Sequence, residues 1–236
     1  MDSRTPSSGS LAQRTWSEGE AVIRLSPDLH RSDNKRDFFA PSDWEALDAR
    51  DADLGGSNPL PLQVPGGGPP LILALGKDRK AYLLNRKNLG GIGGQLAVET
   101  VSERSIITAP ATYPAADGIF VALQAEGTHC LTQARGLVTL KIRPGLPSAI
   151  TTSWCASVRG RGAPIVTTTD GRSNPVVWVL GAEGDNQLHG FRGDTGGTLF
   201  TGPQQPMTGL RHFQTLIATE DRLYVAADGN IYAFRF

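Results

Sequence analysis

The chain has 236 residues, and its 23 basic and 23 acidic side chains give no formal net charge. Because nucleic acids and anionic membranes favour proteins with clustered excess Lys and Arg, this balance argues against both as main partners. The 28 glycines and 16 prolines are typical of a chain that is rich in turns rather than in helices.

Neither the N-terminus nor the longest uncharged stretch has the composition of a targeting or membrane segment. The first 18 residues lack the apolar run of a signal peptide, and we predict that 1–18 is disordered or irregular. The uncharged stretch 54–76 is interrupted by prolines and glycines, whereas a membrane-spanning helix needs about 20 mostly apolar residues. The sequence therefore predicts no membrane span.

Short apolar runs bounded by Gly, Pro, Asn or Asp predict about eleven strands. In chain order these strands are 21–25, 71–75, 81–84, 118–122, 137–142, 164–168, 176–180, 187–191, 216–218, 223–226 and 231–234. One short helix is predicted at 41–48, where Ser42 would be the N-cap and Glu45 would close a capping box. The pattern predicts an all-β sandwich, barrel or propeller.

A repeat of about 45 to 55 residues favours the propeller among these folds. Segments that begin at Asn58, Ala109, Ala163 and Phe213 each give a strand, a turn, a stronger hydrophobic strand and a further turn and strand. We predict a single partial propeller domain of four-stranded antiparallel blades over 19–236. The blades are predicted at 19–44 (partial), 57–100, 105–146, 148–202 and 208–236 (partial).

Three segments resemble the repeats of pyrroloquinoline-quinone-like propellers, the quinoprotein alcohol dehydrogenase-like family. They are QLHGFRGDTGGTLF at 187–200, NIYAFRF at 230–236 and GKDRKAYLLNRKNLGG at 76–91. Members of this family commonly close with about seven or eight blades, so the resemblance implies that the roughly four blade-equivalents here are the C-terminal part of a larger propeller.

An open arc is therefore expected rather than a closed four-bladed ring. Backbone pairing between residues near Val22 and residues near Tyr232 would indicate the ring. In an arc the end blades lack neighbours, and we expect Phe234 and Phe236 to be exposed and the chain to self-associate.

The resemblance also assigns a candidate cofactor residue. Lys77 matches the lysine that contacts the quinone in related alcohol dehydrogenases, where an ammonium stabilises charge on the reduced quinone oxygen. The alternative is an ordinary turn lysine. The sequence has no counterpart of the family's Ca²⁺ ligands, catalytic aspartate or adjacent cysteine pair, so we assign no catalytic residue. No resident cofactor is expected, and pyrroloquinoline quinone with Ca²⁺ is the alternative.

The densest acidic cluster consists of Asp48, Asp51 and Asp53. Hard cations such as Ca²⁺ take several oxygen ligands from one loop, which makes these residues candidate metal ligands. Their spacing does not fit an EF-hand. A looser Ca²⁺ loop and a solvated turn both remain open interpretations.

Cys130 and Cys155 are the two cysteines of the chain. Similar family members carry a cysteine in each of these places, so the resemblance implies a disulfide between them. A disulfide would indicate an oxidising compartment, periplasmic or secreted. Two buried free thiols are the alternative.

These observations favour a non-catalytic propeller that acts as a scaffold or binding module. Its partner would be another protein or the remaining blades of a larger propeller. A quinone-dependent alcohol or sugar dehydrogenase is the first alternative, and a carbohydrate- or polymer-binding propeller is the second.

Overall fold

The computed structural model describes residues 15–64, 68–115, 118–131, 133–145, 147–214 and 216–235. In these ranges nearly all regular structure is β-strand. One α-helix, α1 (Trp44–Asp48), and two 3₁₀ turns at Lys35–Asp37 and Leu54–Gly56 are the exceptions. None of the helices within the described ranges is long and apolar enough to cross a membrane.

The strands form five sheets, of which the middle three have four antiparallel strands each. The first sheet consists of β1 (Val22–Ile23), β2 (Phe38–Ala40) and β6 (Gly91–Ile92). The second consists of β3 (Leu60–Leu62), β4 (Leu71–Leu75), β5 (Lys80–Asn85) and β7 (Ala97–Thr100). The third consists of β8 (Ala111–Ala115), β9 (Gly118–Leu123), β10 (Gly136–Arg143) and β11 (Ala149–Ser157). The fourth consists of β12 (Ile165–Thr167), β13 (Val176–Leu180), β14 (Leu188–Arg192) and β15 (Thr198–Gly202). The fifth consists of β16 (Leu216–Ala218), β17 (Arg222–Ala227) and β18 (Asn230–Arg235).

Each middle sheet is buried on both faces because the strands at its centre are apolar at successive positions. In β4, Leu71, Leu73 and Leu75 pack against the third sheet, whereas Ile72 and Ala74 pack towards the first. Successive side chains of a strand point to opposite faces, so a continuous apolar run buries both. Because both faces of a sheet are apolar, neighbouring sheets stack face to face and bury them.

The same alternation continues along the chain. In β13, Val177 and Val179 pack against the third sheet, and Trp178 and Leu180 pack against the fifth. Four apolar clusters thus join the five sheets in chain order. Four-stranded antiparallel sheets stacked in this way are the blades of a partial β-propeller, as predicted.

The two ends of the stack do not pair with each other within the described residues. Val22 pairs with Phe39, and Tyr232 pairs with Val225. The described chain is therefore an open arc. The expected exposure of Phe234 is wrong, because its ring packs towards the fourth sheet and lies 6.1 Å from the ring of Phe200. Phe236 lies outside the described residues.

Two further predictions differ from the structure. The strand Ala149–Ser157 pairs with Gly136–Arg143, so it completes the third sheet instead of opening the blade predicted at 148–202. The predicted capping by Ser42 is also wrong. The helix α1 begins at Trp44, one residue later than this capping requires, so Asp43 is its N-cap residue.

We expect the isolated chain to self-associate through the outer face of the fifth sheet. Ile217 and Ile231 on this face are 63% and 76% exposed, and exposed apolar faces favour association. Sedimentation velocity should show oligomers that increase with concentration and that the double variant Ile217→Lys/Ile231→Lys abolishes. The matched control Leu29→Lys/Leu131→Lys changes two apolar residues elsewhere that are even more exposed, and it should leave the oligomers intact. A wild-type chain that stays monomeric would contradict this expectation.

Candidate functional site

Lys77 lies in the turn between β4 and β5, where it contacts two residues of the acidic cluster. Its Nζ lies 2.5 Å from Asp53 Oδ2 and 3.2 Å from Asp51 Oδ2. The hydrogen bonds that the ammonium donates to Asp53 and, secondly, to Asp51 raise the pKa of Lys77 above its usual value. The ammonium therefore stays protonated, and its charge is compensated by the protein itself.

In this arrangement the candidate quinone residue and two of the candidate Ca²⁺ ligands contact each other. Lys77 already binds carboxylates, and a cation between Asp51 and Asp53 would compete with the ammonium. Asp48 lies at the end of α1, where its carbonyl accepts the Asp51 N–H at 3.3 Å. Within the described ranges no three His, Cys, Asp or Glu side chains are grouped closely enough to hold a metal ion.

A different site lies at one end of the second, third and fourth sheets, where a cavity of about 1110 Å³ opens. Its walls are the turns and loops between the second and third strands of these sheets and the connections from one sheet to the next. Antiparallel strands reverse direction at every turn, so all these segments meet at the same end. We call this end the loop face.

The cavity is lined mainly by charged residues. Six are basic and three are acidic: Lys77, Arg79, Arg104, Arg135, Arg159, Arg161, Glu103, Glu126 and Glu183. None of its lining residues is aromatic. In a chain without net charge, the cavity is therefore a local concentration of positive charge.

Part of this charge is already paired. Glu126 binds two arginines, Arg104 at 3.1 Å and Arg135 at 3.2 Å. Glu183 lies 2.9 Å from His212, and this hydrogen bond lowers the pKa of the Glu183 carboxyl. The acidic residues of the cavity are thus occupied by neighbouring basic groups.

Three arginines of the cavity are unpaired. The side chains of Arg79, Arg159 and Arg161 are exposed and form no ion pair or hydrogen bond with any residue that the structure describes. Arg79 has a positive φ of 72°, in the left-handed region, at the tip of the turn between β4 and β5. Among the residues that the structure describes, these three guanidinium groups line the cavity without a charged partner.

The backbone that carries Arg159 and Arg161 is held in place. The Arg159 carbonyl accepts the Asp185 N–H at 2.9 Å, and the Arg161 N–H donates to the Ala182 carbonyl at 2.8 Å. Between them Gly160 has a φ of 130° and packs so closely that a Cβ would lie 2.3 Å from the Gly181 carbonyl carbon. Only glycine fits this position. Its close packing holds the stretch of backbone that carries both arginines.

The predicted disulfide is confirmed. Cys130, in the loop between β9 and β10, is bonded to Cys155 in β11, with the two Cα atoms 5.8 Å apart. The two ends of the same loop contribute Glu126 and Arg135 to the cavity. The disulfide therefore anchors a wall of the cavity to the third sheet.

The sequence analysis named Lys77 only as a candidate quinone contact, although Lys77 also lines this cavity, and it missed the unpaired arginines. The segment Arg159–Gly160–Arg161 was visible as a basic loop motif. Arg79, however, lies 80 residues before Arg159, and only the stacking of the sheets brings the two to one cavity. A motif search along the chain does not detect such a set.

No protein-family model and no curated protein matches the chain. Among solved structures, it is similar to BamB from Moraxella catarrhalis, with 15% identity and a TM-score of 0.44 over 76% of this chain and 49% of that one. It is also similar to the computationally designed Ika8 protein, with 14% identity and a TM-score of 0.42 over 70% of this chain and 43% of that one. The chain thus spans about half the length of the first and less of the second.

Proposed function

We propose that the chain is a non-catalytic β-propeller module that binds a partner protein through its loop face. The observation that carries the proposal is the charged cavity, which three successive sheets build together. Loops held by a rigid scaffold are where folds of this kind place their binding residues. Convergent charges in such a cavity give specificity for a partner of complementary charge.

The contacts of Lys77 make a quinone-dependent dehydrogenase the weaker alternative. A quinone oxygen would have to displace Asp51 and Asp53 from Lys77. A carbohydrate-binding propeller is also less favoured, because sugar rings commonly stack on aromatic side chains and the lining residues of the cavity include none.

The disulfide supports an oxidising compartment. Bonds of this kind persist in the periplasm and outside cells, and they are rare in the cytosol. We propose that the module is periplasmic or secreted.

Mixing the protein with pyrroloquinoline quinone and Ca²⁺ tests the non-catalytic part of this proposal. We expect no stoichiometric change in the quinone absorbance spectrum and no dye-linked oxidation of alcohols or sugars, because Lys77 is bound by its two aspartates. A known quinone-dependent dehydrogenase serves as the positive control. Stoichiometric binding with turnover that the Lys77→Met variant abolishes would overturn the proposal and favour the dehydrogenase.

A further inference from the structure

We infer that the cavity on the loop face is a binding site for an acidic peptide segment, and that Arg79, Arg159 and Arg161 recognise its carboxylates. This inference rests on the proposed function, since it names the kind of partner that the binding module takes. The three arginines come from two different segments of the chain and line one cavity.

The charge of the three arginines determines the sign of the ligand. Each carries a permanent positive charge without a protein partner in the described ranges. A guanidinium presents donors in a planar fork that matches a carboxylate with two parallel hydrogen bonds. The cavity can thus bind several separate carboxylates rather than a single one.

The glutamates of the same cavity favour a peptide over a chain of phosphates or sulfates. Glu103, Glu126 and Glu183 line the cavity together with the arginines. A chain of phosphates or sulfates would bring negative charge against these carboxylates and has no backbone N–H group to offer them. An acidic peptide also brings backbone N–H donors, which carboxylates accept.

The size of the cavity agrees with a segment of several residues. Its volume of about 1110 Å³ exceeds the roughly 300–1,000 Å³ of sites that hold one drug-sized molecule. The backbone at Arg159 and Arg161 is held by hydrogen bonds to Asp185 and Ala182 before any ligand arrives. Preorganised groups lose less conformational freedom on binding.

Fluorescence anisotropy with labelled poly-L-glutamate as the probe tests the inference. The triple variant Arg79→Gln/Arg159→Gln/Arg161→Gln should bind at least about tenfold more weakly than the wild type, because each exposed charge contact contributes modestly and the three add. Raising NaCl from about 50 mM to about 200 mM should weaken wild-type binding, since salt screens exposed charges. Thermal unfolding of the variant verifies that it folds.

A matched control removes the same charge elsewhere. The triple variant Arg86→Gln/Arg143→Gln/Arg172→Gln changes three exposed arginines that do not line the cavity, and it should bind as the wild type does. Equal weakening in both triple variants, or no binding of poly-L-glutamate by the wild type, would overturn the inference. Binding of heparin or polyphosphate in preference to poly-L-glutamate would also overturn it while leaving the binding module in place. Quinone turnover, by contrast, would overturn the proposed function itself.

Discussion

Replacing Trp154 by alanine is expected to lower the free energy of unfolding by about 3–5 kcal/mol, the cost of removing a large buried aromatic side chain. Trp154 is 8% exposed and packs in the cluster between the third and fourth sheets, with its ring 6.4 Å from that of Phe191. Its Nε1 donates to the Gly193 carbonyl at 2.8 Å. The ring also lies against Gly196, where a Cβ would be 2.6 Å away. Urea unfolding measures the loss.

The conservative variant separates packing from hydrogen bonding. Trp154→Phe keeps an aromatic ring in the interface but loses the donor, and we expect a loss of about 1 kcal/mol. The Gly193 carbonyl would still accept the hydroxyl of Tyr113, which donates to it at 2.6 Å. If the alanine variant loses no more stability than the phenylalanine variant, the ring does not join these two sheets.

Removing the disulfide is expected to lower the free energy of unfolding by about 3 kcal/mol. The bond between Cys130 and Cys155 links positions 25 residues apart, and in the chain-entropy model its loss enlarges the unfolded ensemble. The variant Cys130→Ser/Cys155→Ser should therefore unfold at lower urea than the wild type.

Reductant provides the control for the disulfide variant. Wild-type protein in dithiothreitol should approach the stability of the double variant, whereas the variant itself should not respond to dithiothreitol. A wild type whose unfolding midpoint is the same with and without reductant would contradict the stabilising role of the bond.

The strands that the sequence predicts best are those buried on both faces. Leu71–Leu75 and Val176–Leu180 match their predicted bounds because every position in them is apolar, which is visible without knowledge of the neighbouring sheets. The outer strands were missed. Ala97–Thr100 and Thr198–Gly202 carry exposed and half-exposed positions, so their local composition does not distinguish them from loops.

Strand Ala149–Ser157 shows why the blade boundary was misplaced. The predicted boundary between the blades 105–146 and 148–202 falls in a segment with glycine and prolines, but this segment joins β10 and β11 within one sheet. Turn residues mark where a strand ends and not which sheet the next strand joins. Sheet membership depends on pairing between strands, which local sequence does not encode.

The candidate site was predictable only in part for a related reason. Lys77 and the aspartates were found separately, as a cofactor residue and as metal ligands, whereas the structure pairs the lysine with Asp51 and Asp53. The two segments are more than 20 residues apart, and the Lys77–Asp51 hydrogen bond spans 26 positions. From the sequence alone, a lysine and an aspartate that form an ion pair in the fold therefore look like residues of two independent sites.

The stacking of the sheets in chain order has a consequence for how a local perturbation spreads. Because each apolar cluster joins only consecutive sheets, the stack is a one-dimensional array in which stability is approximately a sum of nearest-neighbour terms. Fraying that begins at the outer face of the fifth sheet must first cross the interface around Trp178 before it reaches the sheets that build the cavity. The fifth sheet therefore separates its own outer face from the sheets that build the loop face.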